Sequence, residues 1–275
     1  MPTTSTASSS TEPLAPSPGS PGGGAWPKWL ALAVVLVALV YGRGLTHGFV
    51  HDDTALLENS ARLSDIASLP TALTRDLFWL ADDAVRPSPY WRPLVTLSYY
   101  ADRHGLGGGA WAFHLTNLLW LCGLGLAALR SMPARSSTHA RAFVLALVLL
   151  HPMQSEAALN ITARTDLMAA TLGTLAMTLG GWAGGLATLG ALGCKETAII
   201  VPVLALVWHG GRGRGWWPHA LVAAIWLAVR TWLVSDWGVH SSDLPGPTLG
   251  GVLAAPASVG FYLSRLVLPT SPVAA

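Results

Sequence analysis

Residues 26–44 read WPKWLALAVVLVALVYGRG, with no charge between Lys28 and Arg43. Crossing a bilayer takes about 20 mostly apolar residues in one helix. The stretch predicts a membrane-crossing helix, with Trp26, Lys28 and Trp29 as interfacial anchors. Residues 1–25 are Ser, Thr, Pro and Gly with almost no large apolar side chain. They predict a disordered tail. They also set the first apolar run too far from Met1 for an ordinary secretory signal, so the helix is expected to be retained.

The rest of the chain repeats that pattern. Of its 275 residues 52% are hydrophobic and 11% charged, with mean hydropathy +0.47. Soluble domains carry roughly 25% charged residues, so this composition cannot clothe a water-exposed surface. Further spans are expected at Ala110–Leu129, Ala140–Leu150, Leu167–Gly181, Trp182–Gly193, Thr197–Trp208, Trp216–Val234 and Val252–Leu268. The expected fold is all-α: a polytopic bundle of about eight spans over 26–269, followed by a short tail, 270–275. Between the first two spans lies a mixed polar stretch, 45–109. Its apolar spacing predicts amphipathic helices at Thr54–Ser60, Ala67–Arg75 and Pro93–His104, lying at the membrane surface. The net charge of +2 leaves no basic patch for nucleic acid. Cys122 and Cys194 are far apart and have no CxxC or His pairing, so both read as small buried residues.

Threading the spans with Lys28 cytoplasmic puts Arg130, Arg135, Arg141, Arg212 and Arg214 in cytoplasmic connections, which satisfies the positive-inside rule. The opposite connections then hold Asp52, Asp53, Glu58, Asp65, Asp76, Asp82, Asp83, Asp102, Glu156, Asp166, Glu196, Asp236 and Asp243. Only Glu12 of the 14 acids is left out. This sorting of the acids is partly independent support for the orientation, which rests on the apolar runs and basic connections.

Four polar clusters fall on that acidic face: His51-Asp52-Asp53, Tyr90-Trp91-Arg92-Pro93, His151-Pro152 with Glu156, Arg164 and Asp166, and Lys195-Glu196. Adjacent carboxylates can raise one pKa and suit a general base, while a solvated pair or a helix cap explains them equally well. Lys195 and Glu196 sit between apolar runs, where a functional pair and a structural ion pair both fit. Glu156 and Arg164 are close to one helical face and could pair with each other. His114 and Asn117, at the start of the second span, read as polar packing or site lining. Carboxylates beside cations at one rim suit group transfer from a lipid-linked phosphate, with Arg or Lys on the leaving phosphate and a carboxylate on the acceptor hydroxyl. A transporter would more typically place such charges near the bilayer midplane.

The blocks Phe49-Val50-His51-Asp52-Asp53, Asp76-Leu77-Phe78-Trp79, Arg92-Pro93-Leu94, Phe113-His114-Leu115-Thr116-Asn117, His151-Pro152 to Glu156, Ala163-Arg164-Thr165-Asp166-Leu167 and Cys194-Lys195-Glu196-Thr197 follow in order over Phe49–Pro202. Together they resemble the GT-C glycosyltransferases, in particular the transmembrane and tetratricopeptide-repeat O-mannosyltransferase-like branch. The resemblance implies a GT-C fold, an extracytoplasmic active face and transfer of a sugar, such as mannose, from a polyprenyl-phosphate donor. It places the catalytic base on Asp52 or Asp53. It makes Arg92, Arg164 and Lys195 candidates for the donor phosphate, and His151, Glu156, Asp166 and Glu196 candidates for lining the site. The partners it implies are a lipid-linked sugar donor, a protein or glycan acceptor and membrane lipids. Family members continue through more helices and a repeat region. A truncated, minimal or split form is therefore expected, completed in the last case by a second subunit. No cofactor is required; the outer carboxylates could hold a divalent metal, but no ligand spacing demands one. The expected location is a bacterial inner membrane, with the N-terminus cytoplasmic. The alternatives are a transporter or flippase-like protein and an inactive scaffold.

Overall fold

The computed structural model describes residues 26–81, 88–210 and 215–236, and a few positions between 256 and 264. The expected tail 1–25, the acids Asp82, Asp83 and Asp243, the basic residues Arg212 and Arg214, and most of the expected span Val252–Leu268 lie outside them. The described residues are helical, with no strand among them. In order the α-helices are α1 (Trp26–Tyr41), α2 (Ala61–Ser64), α3 (Leu69–Ala72), α4 (Pro93–Gly105), α5 (Ala110–Ser131), α6 (Thr138–Leu150), α7 (Gln154–Leu159), α8 (Arg164–Leu179), α9 (Gly181–Leu192), α10 (Val201–Trp208) and α11 (Trp217–Asp236).

The sequence spacing explains which side of each helix turns inward. On α1 the buried residues are Trp29, Ala33, Val37 and Tyr41, one every fourth position. The Tyr41 hydroxyl donates to the Leu149 carbonyl at 3.1 Å, tying α1 to the end of α6. The outward side of α1 is apolar as well, with Leu39 78% exposed. An all-round apolar helix fits lipid rather than water. Helix α5 is the central post, packed against α1, α6 and α8. Gly125 permits the approach of α6: a Cβ there would stand 2.8 Å from a Leu145 methyl and 2.9 Å from one of Leu149. Gly180 and Gly181, at φ 60° and 55°, turn the chain from α8 into α9 in a conformation that side-chain-bearing residues rarely adopt.

Among the described residues three helical stretches are long and apolar enough to cross a membrane: Trp26–Thr46, Ala110–Ser131 and Trp217–Ser235. The expected spans at 140–150, 167–181, 182–193 and 197–208 contain α6, α8, α9 and α10, of 13, 16, 12 and 8 residues. A helix the length of α6, 13 residues, rises only about 20 Å, against about 30 Å for a hydrocarbon core. Length therefore separates two kinds of apolar helix that composition had merged.

The expected amphipathic helix at Pro93–His104 is α4. The one at Thr54–Ser60 is a π-helical turn, Thr54–Glu58, and the one at Ala67–Arg75 is a 3-10 turn, Ile66–Ser68, leading into α3. Two further short helices, α2 and a 3-10 turn at Leu77–Leu80, were not anticipated. Both begin at a polar cap: Ser60 Oγ accepts from the Leu63 N–H at 3.0 Å, and Asp76 Oδ1 from the Phe78 N–H at 3.0 Å. From this stretch Leu56, Leu57, Leu63, Leu77, Leu80, Val95, Tyr99 and Tyr100 form one buried core with Phe113 of α5, Ile161, Met168 of α8 and Cys194. The stretch forms a folded cap seated on α4 and α5.

The helices alternate in direction, so the segments before α5, α8 and α10 and after α1, α6 and α9 gather at one end. Long-range contacts join them: Thr162 to Asp53, Arg92 to Glu196, Asp166 to Lys195 and Arg230 to the Pro89 carbonyl. At the other end Arg130 meets Thr178, and the Gly181 N–H meets the Gly215 carbonyl. The segments that carry the acids thus meet at a single end of the bundle.

Candidate active site

Asp52 and Asp53 begin the helical turn behind the cap, just after His51, which stands at φ 50°. The two carboxyls face different surroundings. Asp52 is exposed, whereas Asp53 is fully buried. Asp53 Oδ1 accepts from the Thr162 N–H at 3.2 Å, and Oδ2 has a long contact, 3.5 Å, with the Val50 N–H. Burial pushes the Asp53 carboxyl above the usual carboxylate range. The N–H groups of Val50, Thr162 and Ile161 pull it down, and the Asp52 charge adds to the upward push.

Thr162 precedes α8, whose first turn carries Arg164 and Asp166. These two point into different worlds. Arg164 is fully buried. Its Nη1 lies 2.6 Å from Asp102 Oδ2 and 3.1 Å from Ser98 Oγ. Its Nε donates to Asn117 Oδ1 at 2.8 Å and its Nη2 to the Phe113 carbonyl at 2.8 Å. The guanidinium also lies 4.9 Å from the Tyr99 ring centroid. Arg164 does not pair with Glu156, which is exposed on α7. Asp166 instead reaches outward to Lys195 Nζ at 2.5 Å, with the two side chains 52% and 26% exposed.

Lys195 and Glu196 enter the turn before α10, and Glu196 pairs with Arg92 Nη2 at 3.2 Å. Arg92 also lies over the Tyr90 ring, 4.8 Å from its centroid. Two ion pairs therefore stitch the start of α4, the turn before α10 and the first turn of α8 into one rim. Between the rim and the buried pair stands Tyr99. Its hydroxyl is buried without a hydrogen-bond partner among the described residues. Burial raises its phenol well above the usual range, and the charges of Arg164, Asp53, Arg92 and Asp102 all act on it. His151 caps the end of α6, and its Nδ1 accepts from the Met153 N–H at 3.2 Å.

A groove of about 270 Å³ opens beside the Lys195–Asp166 pair and runs between α8 and α10. Ala169, Gly173, Met177, Val201 and Leu204 line it, so one mouth is charged and the rest greasy. Cys122 and Cys194 are free and buried, as expected. Burial pushes the Cys194 thiol up to about 12.

The sequence reading missed Asp102, Ser98 and Thr162. For Asp102 there was a signal: it follows Val95 and Tyr99 at helical spacing, on the buried side of α4. A carboxylate on that stripe asks for a cation. Nothing local marked Thr162, whose contribution is a backbone N–H.

The chain resembles the protein O-mannosyl-transferases over about half its length. It is 32% identical over 151 residues to protein O-mannosyl-transferase TMTC1 of Mus musculus, covering 53% of this chain and 16% of that protein. The human TMTC1 protein is 30% identical over 151 residues, covering 53% and 17%. Protein O-mannosyl-transferase Tmtc2 of Drosophila melanogaster is 32% identical over 140 residues, covering 49% and 14%. The match thus spans about a sixth of the length of these curated relatives. No family model matches the chain, and no solved structure does.

Proposed function

We propose that this chain is a GT-C-type membrane glycosyltransferase, or the catalytic portion of one, that moves a sugar from a polyprenyl-phosphate donor to an acceptor hydroxyl on the extracytoplasmic face. In this reading Asp52 takes the acceptor proton. A general base must come within about 3 Å of that proton, which an exposed carboxyl can do and an enclosed one cannot. Asp53 holds the segment in place from behind. Lys195 and Arg92 meet the donor phosphate by exchanging their carboxylate partners, Asp166 and Glu196, for phosphate oxygens. The lipid tail lies along the groove between α8 and α10. Mannose is the sugar suggested by the names of the relatives, and a protein the acceptor.

The observation that carries this reading is the division of labour within the acidic pair: Asp53 is buried and fastened to Thr162, and Asp52 is exposed beside it. The test is mannosyl transfer from a polyprenyl-phosphate donor by the purified chain in detergent. Asp52→Asn is expected to lower turnover at least about 100-fold, the usual weight of a general base. Full turnover in Asp52→Asn sinks the assignment.

A further inference from the structure

Asp53 is fastened to the segment Asn160–Thr162, and that segment is in turn gripped from its other side by a residue of α5. Asn117 is fully buried. Its Nδ2 donates to the Asn160 carbonyl at 2.9 Å and to the Ile161 carbonyl at 3.4 Å. Its Oδ1 accepts from Arg164 Nε. The partners fix which way the amide faces, because a guanidinium can only donate and a carbonyl can only accept. In a trans peptide the C=O and the N–H point to opposite sides. The Ile161 carbonyl and the Thr162 N–H belong to one such peptide. Asn117 therefore holds one side of the peptide whose other side holds Asp53. The peptide before it repeats the arrangement, with Asn117 on the Asn160 carbonyl and the Ile161 N–H acting on Asp53. A hydrogen bond at a carbonyl also polarises the N–H across the same peptide, so the two grips strengthen each other.

We infer that Asn117, oriented by Arg164, is the positioning residue of the acidic pair and acts on Asp53 through the peptides of Asn160, Ile161 and Thr162. Asp102 completes the arrangement by holding the Arg164 guanidinium, and Thr116 Oγ1 donates to Asp102 Oδ1 at 2.7 Å. Asn117, Arg164 and Asp102 are all buried. The catalytic half of the inference rests on the role proposed for Asp52; the structural half does not.

Hydrogen exchange, read by mass spectrometry on the full chain in detergent micelles, tests it directly. Asn117→Ala removes both grips. Asn117→Asp keeps an oxygen for Arg164 but sets a second oxygen against the two carbonyls, so it breaks the grip on the peptides without emptying the site. Both are expected to speed exchange over residues 50–54 and 160–162 by about tenfold, the effect of freeing a charge-assisted hydrogen bond. The far half of α8, 173–179, should keep its protection. Ser131→Ala, at the far end of the same helix, where the Ser131 hydroxyl donates only to the Ala128 carbonyl, should leave residues 50–54 unchanged. In the transfer assay Asn117→Asp should lower kcat while KM for the donor stays put. Unchanged exchange at 50–54 in Asn117→Asp, or equal acceleration throughout α5 and α8, overturns the inference. Full turnover in Asp52→Asn would instead sink the catalytic reading and leave the exchange result to decide the positioning role alone.

Discussion

Two ion pairs start within one helical turn of α8 and face opposite environments. Arg164 and Asp102 meet inside the protein, 0% and 4% exposed, with the guanidinium's remaining donors taken up by Ser98, Asn117 and the Phe113 carbonyl. Asp166 and Lys195 meet at the rim, half in solvent and beside an apolar groove. The first is a closed arrangement: every strong partner is protein, and removing one strands a buried charge. The second is open: both members can be met by solvent, and either could exchange its partner for a ligand. The resemblance to a family treats Arg164 and Lys195 alike, as phosphate candidates. Burial separates them: Arg164 is enclosed by protein partners, and Lys195 stays open at the rim.

The largest expected effect breaks the closed side. Asp102→Ala leaves Arg164 buried without its counter-charge, which costs about 3–5 kcal/mol of stability. Thermal unfolding in detergent reads this, and a loss below about 1 kcal/mol would mean that the pair is no more committed than the rim. On the open side, Lys195→Ala should cost under about 1 kcal/mol of stability, because a half-exposed pair is screened by solvent. It should raise the donor KM about tenfold, through loss of a charged phosphate contact worth about 1.5 kcal/mol. A large stability loss with KM unchanged would move Lys195 to the structural side of the comparison.

Asp53 is the intermediate case, buried like Asp102 but held by backbone N–H groups with no cation bonded to it. Its folded pKa is raised, so the folded state takes up its proton more readily than the unfolded chain does. Its contribution to stability is thus fully present below the ordinary aspartate range. It is lost as pH rises through that range to the raised folded value. Asp53→Asn should flatten this part of a melting-temperature profile taken between about pH 3 and 7. The change should be the smallest of the three, since the N–H groups partly offset the burial. A slope of opposite sign would mean that the N–H groups outweigh the burial.

Much of the bundle was legible because apolar run length and helical spacing are local properties. The residues 110–129, 140–150 and 182–193 became α5, α6 and α9 to within a few positions. The count of crossings was not legible. Whether an apolar helix of 12 or 13 residues crosses a membrane depends on what packs around it, and among the described residues three helices meet the length on their own. Within the site, the sequence gathered the acids at one end, and the folded chain joins their segments there. It left the Asp52–Asp53 pair undivided, because adjacent residues on a turn differ only in what surrounds them. It also left Asn117 between packing and site lining; its partners lie 43 to 47 residues away.

Composition and periodicity by themselves determined an all-helical chain with apolar spans, a polar stretch between the first two, and charges sorted to opposite ends. Those properties follow from each residue's own transfer free energy and its spacing along one helix. Only the tertiary structure decided which charges are enclosed and which are open. Desolvation depends on every neighbour within a few ångströms, and for Asp53, Asp102 and Arg164 those neighbours come from distant segments of the chain.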